Sequence, residues 1–159
     1  MRDDESWDEE HQSLLHQEAR AVLHTQNATM TDVDGKATKT VRFDAILIGL
    51  FLTSRRVSGP EVFHAGLLGV SLTALVCSTV VGIATYNESN LYVGLGGYYF
   101  EESAREPPTG DRWDTDLLEA YAGMIYENAE TIDWNAWLLS VTQVTLVVGI
   151  VTAVLAAAM

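Results

Sequence analysis

Val62-Phe63-His64-Ala65-Gly66-Leu67-Leu68-Gly69-Val70-Ser71-Leu72-Thr73-Ala74-Leu75-Val76-Cys77-Ser78-Thr79-Val80-Val81-Gly82-Ile83-Ala84-Thr85-Tyr86-Asn87 contains no Asp, Glu, Lys or Arg. The hydrocarbon layer of a bilayer is about 30 Å thick, and roughly 20 apolar residues of helix cross it. The stretch is long enough, so residues 62–86 are expected to be a transmembrane helix. A second uncharged stretch runs from Trp134 to the last residue, Met159. It is expected to span over residues 136–158, with Trp134 and Trp137 where an interfacial aromatic belt belongs.

A further span is expected at residues 41–57. Only ten uncharged residues lie there, Ala45 to Ser54, and ten residues of helix cover about 15 Å. Val41 to Asp44 on one side and Arg55 to Val57 on the other supply the missing length. Arg42, Arg55 and Arg56 can snorkel to the two interfaces. Asp44 has less reach, and faces either the protein interior or water near the entrance, or is protonated. A short interfacial or re-entrant segment is the alternative. Ser58-Gly59-Pro60 is a turn signal, so the spans at 41–57 and 62–86 are expected to form a transmembrane hairpin. Within the latter, Ala65, Gly69, Thr73 and Cys77 recur every four residues. They are expected to form a face that lets the first or third span approach closely.

The chain has 159 residues and a net charge of −13, unevenly placed. Residues 1–34 carry nine acids and two bases, residues 35–85 two and five, and residues 86–159 eleven and two. So acidic a chain does not bind polymeric nucleic acid, which requires Lys and Arg in place of counterions. Lys occurs twice and Arg seven times. With acids crowding the polar segments, the composition resembles that of haloarchaeal proteins, whose self-repulsion strong salt screens. Cys77 is the only cysteine, which excludes a disulfide within one chain and makes it a packing residue. The acidic start, Arg2-Asp3-Asp4-Glu5, is the opposite of a signal peptide's basic region.

Residues 1–8 read as an acidic disordered tail. Residues 9–40 read as a soluble helix, with Trp7, His11, Leu14, Leu15, Ala19, Val22 and Leu23 on one face. The stripe continues through Gln26, Met30, Val33 and Ala37 to Val41, with Gly35 and the Asp32–Asp34 pair as the points where it can be interrupted. Residues 87–135 read as a soluble loop followed by an amphipathic helix at 114–133. Its stripe is Leu117, Leu118, Tyr121, Met124, Ile125, Asn128 and Ile132, and its partner the N-terminal helix. The fold class is thus all-α membrane protein: a long N-terminal helix entering a transmembrane hairpin, a cytosolic loop and helix, and a C-terminal transmembrane helix. Lys36, Lys39 and Arg42 before the first span outnumber Arg55 and Arg56 after it. By the positive-inside rule the N-terminus is cytoplasmic, and with three spans so are residues 87–135. The sequons at Asn27 and Asn87 would then stay unmodified.

No enzyme is legible, and no cofactor is expected. There is no G-x-S-x-G elbow, and His11, His16, His24 and His64 lack zinc-ligand spacing. Gly94-Leu95-Gly96-Gly97 lacks the remainder of a phosphate-binding fingerprint. Glu101-Glu102 and Asp114–Asp116 read as solvated acidic runs rather than cation sites. Asp34, Lys36, Lys39, Arg42 and Asp44 cluster where the N-terminal helix enters the bilayer. They are ligand or membrane-entrance candidates, with snorkelling anchors as the competing reading.

Asp34-Gly35-Lys36-Ala37, followed by Thr38-Lys39-Thr40-Val41-Arg42-Phe43, is similar to the Asp-x-Lys-Ala entry of the Pycsar effector transmembrane family. Tyr121–Asn135, ahead of the last span, is a second point of resemblance. More loosely, the layout over residues 9–158 resembles the SLATT-type helical membrane proteins. The resemblance implies a homo-oligomeric, non-enzymatic effector in the cell membrane, active in antiphage defence. It would sense a cyclic nucleotide and then perturb the lipid bilayer. The alternative is a structural or regulatory membrane subunit that binds a partner protein through its cytosolic helices.

Overall fold

A computed structural model describes residues 3–59, 62–87, 90–96, 101 and 111–159. These residues form three helices, α1 (Asp3–Ser58), α2 (Ala65–Asn87) and α3 (Asp111–Ala158), and no strand. Pro60 and residues 102–110, with Pro107-Pro108, lie outside the described residues.

α1 begins at Asp3, inside the stretch expected to be a disordered tail. The helix also runs through Gly35, where an interruption was open. It ends at Gly59, whose φ of +90° is the left-handed conformation that glycine supplies after a helix. His64 then caps α2: its Nδ1 accepts from Leu67 N at 3.4 Å and its carbonyl from Leu68 N at 3.0 Å. α3 is a single helix, so the expected segments 114–133 and 136–158 are continuous.

The packing falls into two units: Met1–Met30 with Asn90–Ile132, and Thr31–Ser89 with Asp133–Met159. In the first, Leu23 of α1 packs with Leu117 and Tyr121 of α3, and Leu95 lies against them. In the second, Val33 and Ala37 of α1 pack against Leu139 of α3. There α2 runs antiparallel to α3, since His64 N donates to Ala156 O, Ser71 pairs with Gly149, and Ser78 with Thr142.

The buried positions follow a seven-residue rule. On α2 they are Leu68, Ser71, Leu75, Ser78, Gly82 and Thr85, alternately three and four apart. On α1 the same spacing runs through buried or half-buried His16, Ala19, Leu23, Gln26, Met30, Val33, Ala37, Thr40 and Asp44. On α3 every seventh residue from Tyr121 to Ala156 is buried: Tyr121, Asn128, Asn135, Thr142, Gly149, Ala156. This is the spacing of helices that pack side by side at a shallow angle.

Two expectations are corrected. Ala65, Gly69, Thr73 and Cys77 are exposed, on the opposite side of α2 from its buried line. The approach to α1 and α3 uses the other face because Gly82 there, and Gly149 on α3, leave the room. A Cβ at Gly82 would meet Val41 Cγ2 at 2.7 Å, and one at Gly149 would meet Leu75 Cδ2 at 2.8 Å. Leu14, Leu15 and Val22, expected on the apolar face of α1, are exposed, since the buried line passes through His16, Ala19 and Leu23 instead. Among the described residues, two helices are long and apolar enough to cross a membrane: α2 and the part of α3 from Asp114. α1 is not among them, because Arg42, Asp44, Arg55 and Arg56 interrupt its apolar segment.

Candidate functional site

The five charged candidates on α1 do not converge. Lys36 is exposed and pairs with Asp32, one turn back, at 2.6 Å. Lys39 and Arg42 are exposed, Asp34 is half-buried, and Asp44 alone is turned fully inward.

The second unit also carries a polar seam between its helices. Ser71, Ser78, Thr85, Asn135 and Thr142 are all fully buried. Ser71 Oγ donates to Gly149 O at 2.7 Å and Ser78 Oγ to Thr142 O at 3.0 Å, each from α2 to α3. Thr79, Thr85 and Thr142 instead donate to carbonyls one turn back on their own helices. Both oxygens of Asp44 are buried without a hydrogen-bond partner.

The outer surface is the reverse. Val70, Val76 and Val80 of α2 are exposed, as are Val144, Val147, Val148, Val151, Val154 and Leu155 of α3. Only 28% of the apolar window of α2 and 22% of that of α3 is buried. On α1, Phe43, Ile46, Leu50 and Leu52 point outward. Polar residues inside and aliphatic residues outside invert the pattern of a water-soluble bundle.

The first unit holds a recess of about 680 Å³, lined by Gln12, His16, Gln17 and Arg20 of α1 and Asp114 and Leu117 of α3. His16 Nε2 lies 3.5 Å from Asp114 Oδ1, and Arg20 Nε donates to the Tyr121 hydroxyl at 3.2 Å. That bond, which stabilises the charged guanidinium, raises its pKa above the usual arginine value. Below the recess, Asn128 accepts from Tyr92 N and donates to Tyr92 O, both at 2.8 Å, and donates to Gln26 Oε1 at 3.3 Å. One buried amide thereby fastens the 90–96 segment to the helix pair.

Hydrophobic periodicity finds neither the seam nor the recess. The signal for the seam is the seven-residue spacing of the polar residues themselves: Ser71, Ser78 and Thr85 on α2, and Asn135 and Thr142 on α3. Among the described residues no three His, Cys, Asp or Glu side chains gather as a metal site.

No family model, curated protein or solved structure matches this chain.

Proposed function

We propose that this chain is an integral protein of the cell membrane and a non-enzymatic, signal-responsive effector. The observation that carries the membrane reading is the inversion of the second unit: Ser71, Ser78, Asn135 and Thr142 inside, valines outside. Water would drive those valines inward, at about 25 cal/mol per Å² of apolar surface. In lipid the valines cost nothing, and the hydroxyls find partners on neighbouring helices.

The same logic supports a third span at residues 41–57. Asp44, the charge that most weakens α1 as a span, is directed into the bundle, while Phe43, Ile46 and Leu50 face outward. The spans at 41–57, α2 and the second half of α3 then form a three-helix membrane unit. The acidic first unit, in the cytoplasm on this topology, receives the signal. Its recess has the volume of a small-molecule site, and Arg20 is suited to an anionic group such as the phosphate of a cyclic nucleotide. α1 and α3 run without a break from that unit into the membrane one. The output is perturbation of the bilayer, by a homo-oligomer whose copies meet over the outward faces.

The test is reconstitution of the full chain into liposomes loaded with a self-quenching dye. Cyclic mono- and dinucleotides are added in turn. Dye release on one of them, lost in Arg20→Gln, is the expected result. A chain that a carbonate wash strips from membranes sinks the membrane reading, and vesicles that stay sealed with every nucleotide sink the effector reading.

A further inference from the structure

Asp44 is fully buried in the second unit. The polar groups beside it are the hydroxyls of Ser78 and Thr79 on α2. Each hydroxyl has one proton and two acceptor lone pairs. Both protons are committed elsewhere: Ser78 Oγ donates to Thr142 O and Thr79 Oγ1 to Leu75 O, each at 3.0 Å. What the two hydroxyls present to Asp44 is therefore lone pairs. An ionised carboxylate is itself only an acceptor. With the protons so placed acceptors face acceptors, and neither Asp44 oxygen has a hydrogen-bond partner.

The helices bring no countercharge. α2 has no Lys, Arg, Asp or Glu over residues 62–87, and α3 has none after Asp133. On α1, Lys39 and Arg42 are exposed and Lys36 is engaged with Asp32. The other titratable groups of α2 and its cap, His64, Cys77 and Tyr86, are exposed. An unpaired carboxylate so buried costs several kcal/mol, and one positive charge between the acceptors removes that cost. A divalent ion would leave one charge uncompensated, so the charge required is single.

We propose that Asp44 holds a monovalent cation, either a proton or a sodium-like ion, between its carboxylate and the lone pairs of Ser78 Oγ and Thr79 Oγ1. All the ligands are oxygen, the donor set of hard cations. The site joins α1 to α2, so its occupancy governs how firmly the two helices hold together. The inference rests on the packing of the second unit and is independent of what the recess binds.

The test is infrared spectroscopy with thermal unfolding on the full chain in liposomes at neutral pH, with sodium chloride exchanged for choline chloride at constant ionic strength. If the cation is a proton, a protonated-carboxyl band persists in both salts and disappears in Asp44→Asn. If it is sodium, a carboxylate band moves and Tm falls in choline, and Asp44→Asn loses both responses. Thr79→Val keeps Asp44 and removes one oxygen. It is expected to shift the protonated band, or to weaken the sodium response about tenfold, the worth of one good hydrogen bond. An Asp44 that is ionised and indifferent to sodium overturns the proposal, and so does a Thr79→Val protein identical to wild type in both measurements.

Discussion

Ser71 donates to the carbonyl of Gly149 at 2.7 Å, and Ser78, seven residues on, donates to the carbonyl of Thr142, seven residues back, at 3.0 Å. The two bonds are the same contact repeated at one heptad's distance along an antiparallel pair. Each carbonyl is in the interior of a helix, where it also accepts along the backbone, so the serine occupies its second lone pair. Ser71→Ala and Ser78→Ala are each expected to destabilise the chain by about 0.5–1.5 kcal/mol, the usual net value of such a bond. Denaturant titration of the two single variants and the double variant measures this. A double variant as stable as wild type would remove the seam from the list of what joins α2 to α3.

Gly149→Ala tests close approach. The added methyl would meet Leu75 Cδ2 at 2.8 Å, Leu75 Cγ at 2.9 Å and the carbonyl oxygen of Ser71 at 3.4 Å. Leu75 is fully buried and has nowhere to retreat. The expected cost of overpacking is about 1–3 kcal/mol, against a gain of up to about 1 kcal/mol from replacing a helical glycine. Gly123→Ala on the same helix is the control, because nothing lies within 4 Å of its Cβ position. It is expected to be neutral or stabilising, and equal Tm shifts of the two variants would refute the packing argument.

Asn128→Ala removes a buried amide with three hydrogen bonds. Tyr92 loses the side-chain partner of both its N–H and its carbonyl. A cost of about 1–3 kcal/mol is expected, as for a buried network losing one member. The loss should be local, seen as faster hydrogen exchange at Tyr92 and protease cleavage within 90–96. Unchanged exchange at Tyr92 would show that other contacts fix the segment.

Cys77 is a built-in probe, the only thiol in the sequence and exposed on the outer face of α2. In liposomes it should resist a charged, water-soluble maleimide and react with a lipid-soluble one. Denaturation should make it reactive to both. Prompt reaction with the water-soluble reagent in sealed vesicles would place this face of α2 in water and end the membrane reading.

Much of α1 and of the first half of α3 was legible because their cores obey ordinary periodicity: Leu23, Met30, Val33 and Ala37 lie on the stripe the sequence predicts, as do Leu117 and Tyr121. α2 and the second half of α3 were legible as apolar lengths but not as faces. Valine and other aliphatic residues are scattered all round them, and the inward leucines Leu68, Leu75 and Leu139 alternate with small and polar residues, so a hydrophobic stripe points nowhere. The four small residues of α2 at intervals of four suggested a face, yet an interval of four alone drifts around a helix of 3.6 residues per turn. Alternating intervals of three and four, as in Leu68, Ser71, Leu75, Ser78, Gly82 and Thr85, hold one side. Asp44 was singled out for its charge near a membrane entrance. That α2 and the second half of α3 carry no charge is plain in the sequence, but that Asp44 is buried became visible only in the structure.

Gly82 beneath Val41 and Gly149 beneath Leu75 also act as notches that index the three helices of the second unit. Displacing α2 along its axis by a single turn would set Leu75 against a side chain instead of a vacancy, and Val41 likewise. Both contacts resist sliding, so a piston stroke between these helices is disfavoured, and a conformational change in this unit should register first as a change of helix angle or facing.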